Sequence, residues 1–450
     1  MAESRAGGTA DSSERRRQQR GWYAYDWANS AFSTTVVTVF LGPYLTDIAQ
    51  RAGSGGYVHP LGIPVRDGSF YAYTVSLSVL LTVVVLPVVG AVADRTQRKK
   101  SLLAGFAYLG ALATMALYVV HGSAYLLGGV LFLVANVALG ASVVVYNAFL
   151  PEIAGPDERD AVSARGWAMG YLGGGLLLAA NLVLFNAHGA LGVSKGDAVR
   201  ISLLSAGVWW ALWTVVPLRL LRQSRRSQAP PSDGSPVVAG FRQLAKTFRA
   251  ARGYPLTLAF LVAYLVYNDG VQTVIALASV FGAEELHLTQ GTLITAILVV
   301  QFVAFAGALL CGRLARSYGA RNTVVASLVL WTVAVGLSCV LPARRPVLFF
   351  ALAIMIGLVL GGSQALSRSM FSQLIPAGQE AEYFSLYELS ERGTSWLGPL
   401  LFGLTFQLTG SYRSAIASLV AFFVVGGILL TRVDLRRAVA AAGNRMPELL

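Results

Sequence analysis

The sequence predicts an all-α integral membrane protein that crosses the bilayer twelve times, and three observations carry that reading. Apolar residues make up 55% of the 450 residues, while charged residues make up only 13%. The apolar residues run in blocks of about 20, the helix length that crosses a hydrocarbon core of about 30 Å. Lys and Arg gather in alternate connections between those blocks. A mean hydropathy of +0.60 fits no soluble protein of this size, which would need more charge on its surface.

The blocks follow in order. A tail, 1–26, carries Arg15, Arg16, Arg17 and Arg20, and the first span, 27–46, begins at Trp27. No short apolar region with a small-residue cleavage site precedes it, so no cleaved signal peptide is expected. The second span, 71–93, ends at Asp94-Arg95, and the third, 101–120, starts after Lys99-Lys100. The fourth, 124–149, is long enough to tilt and ends before Pro151. Spans five and six occupy 166–187 and 200–221. The other six occupy 255–281, 290–313, 322–341, 347–370, 384–408 and 412–431, and a tail, 432–450, follows. The 47 glycines sit largely inside these blocks, where small residues let helix backbones approach closely. Gly166, Gly170 and Gly174 are spaced for this, as are Gly357 and Gly361.

The longest connection, 222–254, opens with Arg222, Arg225, Arg226, Pro230, Pro231 and Gly234. It continues with apolar Phe241, Leu244, Ala245 and Phe248 on one helical face and Arg242, Lys246, Arg249 and Arg252 on the other. That pattern reads as a basic amphipathic helix on the membrane surface. With both termini cytoplasmic, 28 of the 35 Lys and Arg fall inside and 7 outside, which orients the chain in a cell membrane. The same distribution explains the net charge of +13 without nucleic acid, since no soluble basic domain gathers it.

The chain repeats. Gly90 and Gly312 each open a basic loop after a span, and Phe149 and Phe371 each begin a similar exit segment. Both pairs are 222 residues apart, which argues for duplication of a six-helix unit into bundles at 27–221 and 255–431.

Six plus six helices, a long central loop, and Gly90, Asp94, Arg95, Arg98 and Lys99 after the second helix together resemble the major facilitator superfamily. In the second copy Arg316 stands where the acid would be, so only the first copy is expected to act as a full switch. Gly21-Trp22-Tyr23-Ala24-Tyr25-Asp26-Trp27-Ala28-Asn29-Ser30 is similar to the opening of the vacuolar amino-acid effluxer-like branch, the autophagy-related group with bacterial members. So are Tyr146-Asn147-Ala148-Phe149-Leu150-Pro151-Glu152 and the stretch from Ser163 to Gly175. The resemblance implies secondary active transport of small solutes by alternating access, with amino acids as leading substrate. It also implies that the loop latches the two halves on the cytoplasmic side.

Ionisable residues inside spans are costly and point to a path or a partner. Asp269, mid-way along the seventh span, can bind an amino group or carry a proton; the competing reading ties it to a neighbouring Arg for packing. Glu388 and Arg392, four apart on the eleventh span, share a face and can pair, with Glu391 beside them. Arg165 and Arg368 offer forked donors for a carboxylate. Both are also placed to be plain cytoplasmic-side charges, and for Arg368 at the end of its span that reading is preferred. Asp26 and Asn29 flank Trp27 at the mouth of the first span, where Asp26 could equally cap a helix. Asn147, Gln272, Gln301 and Gln364 could line the path or make interhelical hydrogen bonds. Asp94 can meet the positive N-terminal end of a helix from the other half, with the eleventh span as expected partner. Arg95 shares the latch role, and Gly90, Arg98 and Lys99 complete the loop.

Other classes find little support. There is no His-Glu-x-x-His and no phosphate-binding Gly-rich loop, which disfavours a membrane-embedded enzyme and an ATP-driven pump. The four histidines and two cysteines are not spaced for a metal site or a disulfide framework. No cofactor is expected. The expected partners are a small-molecule substrate, a coupling proton or other ion, and lipid. An exporter of drugs or other organic solutes is the alternative within transport. A zwitterion needs an acid and a base close together, whereas a cation exporter needs an acid without a base.

Overall fold

The computed structural model describes residues 2–96, 98–222, 253–392 and 397–449. Among these, eleven helices are long and apolar enough to cross a membrane, and Leu397–Thr409 is a shorter apolar helix. The expected amphipathic helix within 222–254 lies outside the described residues.

Helix α1 (Ala2–Ala31) runs through a π-helical stretch (Phe32–Phe40) into α2 (Leu41–Ala52). The tail expected before the first span is therefore helical. Gln19 Nε2 donates to the Ile153 carbonyl at 3.0 Å and Trp22 Nε1 to the Tyr146 carbonyl at 3.0 Å, which fastens the entry of α1 to its neighbours. In and beside the π stretch, Thr34 and Thr38 hydroxyls donate back to the carbonyls of Ser30 and Ser33, a contact that loosens the regular ladder. A two-stranded hairpin, β1 (Tyr57–Val58) with β2 (Val65–Arg66), fills the next connection.

The chain continues through α3 (Phe70–Thr96), α4 (Lys99–Ala116), α5 (Tyr125–Asn147), the short α6 (Leu150–Ile153), α7 (Arg159–Asn186) and α8 (Lys195–Leu220). Next come α9 (Pro255–Glu284), α10 (Gln290–Tyr318), α11 (Ala320–Cys339) and α12 (Pro346–Gln373). In the eleventh span the described residues form α13 (Glu380–Arg392) and α14 (Leu397–Thr409). The last span is α15 (Tyr412–Ser418) with α16 (Val420–Arg432), and α17 (Leu435–Ala441) follows it. The result is a twelve-span, all-α bundle.

Small residues set the closest crossings. A methyl group at Gly361 would lie 2.5 Å from the Ala304 carbonyl oxygen, which brings α12 against α10. One at Gly170 would lie 2.7 Å from Ser30 Oγ, which brings α7 against α1. Helix α10 also packs on α7, and α13 on α3, so helices before and after the central connection meet along two seams.

One end of the bundle carries both ends of the chain. Asn444 Nδ2 donates there to the carbonyls of Gln373 and Ile375 at 2.8 and 2.7 Å, and the Glu448 backbone N–H donates to Asp157 at 2.7 Å. At the opposite end Arg413 joins Glu285 at 2.6 Å and the Cys339 carbonyl at 2.7 Å.

Candidate functional site

A cavity of about 770 Å³ runs along the middle of the bundle. Its polar floor is made by Asp26, Asn147, Gln364, Arg368, Glu388 and Glu391. Its apolar walls reach Tyr71, Phe281, Leu293, Phe349 and Ile416, near the end opposite the termini. The wall comes from spans on both sides of the central connection, since a bundle axis is the place where inward faces of all the helices converge.

Arg368 organises the floor. It is 3% exposed, and its guanidinium lies 3.3 Å from Asp26 Oδ2. Its Nε donates to Ser163 Oγ at 2.9 Å, one terminal nitrogen to the Ser163 carbonyl at 3.0 Å, and the other to Asn147 Oδ1 at 3.4 Å. Trp22 and Trp167 present ring faces to it, with centroids 4.6 and 5.4 Å from the guanidinium carbon. Tyr146 donates to Asp26 at 2.6 Å. The sequence preference for Arg368 as a plain charge at a span end is thus corrected. The α12 helix continues to Gln373, so the residue lies a full turn inside and needs its carboxylate, carbonyl and aromatic partners.

The other expected path residues divide. Asn147 bridges the two sides, because its Nδ2 donates to Glu388 at 3.0 Å. Gln364 donates to Asn268 at 2.8 Å and accepts from Tyr264 at 3.3 Å, and Tyr264 also donates to Glu391 at 3.2 Å. Asn29, Gln272 and Gln301 line the cavity. Asn29 Nδ2 and Gln301 Oε1 are buried and find no hydrogen-bond partner among the described residues. Helix α13 places Arg392 at its last residue, and its side chain lies outside the description.

Two residues stand apart from this floor. Arg165 is exposed at the terminal end, in a separate polar pocket with Arg15 and Arg316. Asp269 is buried on α9 but does not line the cavity. Neither of its carboxylate oxygens makes a close hydrogen bond among the described residues, and the Gly398 backbone N–H lies beside it. A helical wheel would have required the neighbouring helices to show that Asp269 turns toward α14 and away from the path.

At the terminal end the cavity is shut. Asp94 accepts from the backbone N–H groups of Ala381 and Glu382 at 3.1 and 2.8 Å, at the first turn of α13. Those N–H groups have no partner within their own helix, so a carboxylate there satisfies both donors and the helix dipole. A methyl group at Gly90 would lie 2.5 Å from the Ala381 carbonyl oxygen, which is why the crossing needs glycine. Lys99 is buried and reaches three carboxylates: Glu152 at 2.8 Å, Glu380 at 3.4 Å and Asp94 at 3.6 Å. The base at the centre is therefore Lys99, whereas the sequence had favoured Arg95. Arg95 is half-buried and Arg98 exposed. Arg159 adds a second bolt, donating to the Ser372 carbonyl at 2.7 Å and to Gln373 at 3.1 Å.

Sequence reasoning gave no site role to Trp22, Tyr146, Ser163 or Tyr264, although the first three fall in the stretches that carry the family resemblance. All four are polar or aromatic residues within spans, a signal that hydrogen-bonded core residues share equally.

A family model described as "Vacuole effluxer Atg22 like" matches residues 14–443. An "Uncharacterized MFS-type transporter YxiO" of Bacillus subtilis is 28% identical, with 93% of this chain and 95% of that protein covered. "Autophagy-related protein 22-1" of Penicillium rubens is 26% identical, with 94% and 90% covered. Among solved structures, a major facilitator superfamily transporter, FucP, in the outward conformation superposes with a TM-score of 0.64 at 11% identity, covering 93% of this chain and 97% of that one.

Proposed function

The chain belongs to the vacuole effluxer Atg22 like family, within the major facilitator transporters, and from that premise we propose that it moves amino acids across the cell membrane by alternating access. The observation that carries this reading is the floor of the cavity, where one buried guanidinium stands among carboxylates. Arg368 offers a forked donor to a substrate carboxylate, and Asp26, Glu388 and Glu391 offer negative charge to an ammonium group. A cation exporter would favour acids without a base, and here the base is central. Asn29 Nδ2 and Gln301 Oε1, a donor and an acceptor without partners among the described residues, supply further polar contacts to a bound solute.

In this reading both termini are cytoplasmic and the structure is the outward-facing state. The bundles at 27–221 and 255–431 rock about the cavity. Asp94, Lys99 and Arg159 hold the cytoplasmic end shut while the cavity loads. Binding energy gained by a zwitterion at the floor replaces the Arg368 to Asp26 contact and frees the halves to move. A proton gradient drives accumulation, with Asp269 as proton carrier.

Uptake of a radiolabelled amino-acid panel into proteoliposomes, with and without an imposed pH gradient, tests the proposal. Accumulation that collapses with the gradient is expected. Absence of uptake for every amino acid under both conditions overturns the substrate class.

A further inference from the structure

Outside the central cavity, a second one of about 750 Å³ lies at the terminal end between α1, α7 and α10. Five arginines converge on it: Arg15, Arg16, Arg20, Arg165 and Arg316. The acids in its wall are Asp157 and Glu158. Asp157 already accepts from the Glu448 backbone at 2.7 Å, and Glu158 lies 4.0 Å from Arg15. Positive charge is therefore in excess within a concave site, and guanidinium groups grouped in this way suit a phosphate.

The depth of the site decides which phosphate. Arg165, Leu176 and Val183 are exposed on α7, and spacings of 11 and 18 residues put them on one helical face. The 18 residues from Val183 to Arg165 rise about 27 Å, close to the thickness of a hydrocarbon core. An exposed apolar stripe of that length faces lipid tails, so the arginine that ends it lies at the headgroup level.

We propose that this arginine pocket binds the headgroup of an acidic phospholipid, and that the lipid bridges α10 to α1 and α7. Arg316 comes from the second half of the chain, and the other four arginines come from the first. A headgroup held by both halves favours the state in which the terminal end is closed. The site is separate from the cavity floor and needs no transport reading.

The test uses the full chain in neutral detergent. Dioleoylphosphatidylglycerol or dioleoylphosphatidylcholine is added, and retained lipid is counted by native mass spectrometry. The wild type is expected to retain phosphatidylglycerol in preference to phosphatidylcholine. The variant R20Q/R316Q is expected to lose that preference, at about fivefold in affinity for each arginine. A charge-matched control, R432Q/R436Q, removes two exposed arginines at the same end outside the pocket and is expected to behave as wild type. R316K, which keeps the charge but not the fork, gives an intermediate loss and guards against misfolding of the double variant. Equal loss in the control and the pocket variant, or no preference in the wild type, overturns the site. Competition by inorganic phosphate alone at concentrations equal to the lipid assigns the pocket to a soluble anion and overturns the lipid.

Discussion

The Arg368 guanidinium and the Asp26 carboxylate, 342 residues apart in sequence, form an ion pair at 3.3 Å that is nearly closed to solvent. Such a pair is held by its surroundings, because the desolvation of two charges roughly offsets their attraction. Here the surroundings are Ser163, Asn147, Tyr146 and the Trp22 and Trp167 rings. Under the proposed function, a solute carrying both charges would replace this pair.

That relationship gives the first prediction. R368K keeps the charge but loses the fork, and with it at least one charge-assisted hydrogen bond worth about 1.5–3 kcal/mol. KM for the transported amino acid is expected to rise roughly ten- to hundredfold, with the protein still monodisperse on size exclusion. Uptake kinetics check this, and an unchanged KM removes Arg368 from the binding site.

The second prediction concerns the latch. D94A strips two backbone N–H groups of α13 of their acceptor and leaves Lys99 with two of its three carboxylates. Each lost charge-assisted hydrogen bond weakens the closed end by about 1.5–3 kcal/mol. Turnover is expected to slow several-fold while KM stays within a factor of about two, because the residue touches no substrate. A variant with wild-type turnover would show that α13 is held shut by other contacts.

How far the sequence reached can be judged from these same residues. The spans and their repeat were legible because a bilayer imposes a length and demands that each backbone group be satisfied within its own helix. The meeting of Asp94 with the eleventh span was expected from the resemblance of its loop to the family's, and a carboxylate suits the unpaired N–H groups at a helix start. Arg368 was misjudged because its position relative to the helix end looked superficial; only the continuation of α12 to Gln373 puts it inside. The direction of Asp269 was not readable, because a residue buried all round gives no amphipathic face from which to infer it.

Asp269 leads to the third prediction. A carboxylate buried beside the Gly398 backbone and away from the cavity floor can change charge without touching substrate. D269N is therefore expected to lose accumulation driven by a pH gradient while retaining exchange of labelled for unlabelled solute across the same vesicles. Loss of both activities in a folded protein would instead make the residue part of the binding site. Wild-type accumulation would remove it from the mechanism altogether.

The last prediction comes from the end of the chain. Asn444 satisfies two carbonyls at the C-terminal end of α12, Gln373 and Ile375, and the Glu448 backbone ties the same segment to Asp157. Arg159 reaches the Ser372 carbonyl beside them. The final residues thus act as a strap across the closed end, and none of them approaches the cavity floor. N444A removes the two hydrogen bonds, at about 1 kcal/mol each, which is enough to raise the population of a less closed state roughly tenfold or more. S372C, buried at 1% exposure in the parent, is the reporter: both native cysteines are first replaced by alanine. Its alkylation from the terminal side is expected to quicken by about that factor in N444A, with KM unchanged. An equal alkylation rate in the two backgrounds would mean that the latch at Asp94 and Lys99 alone closes this end, and that the strap only tidies the tail.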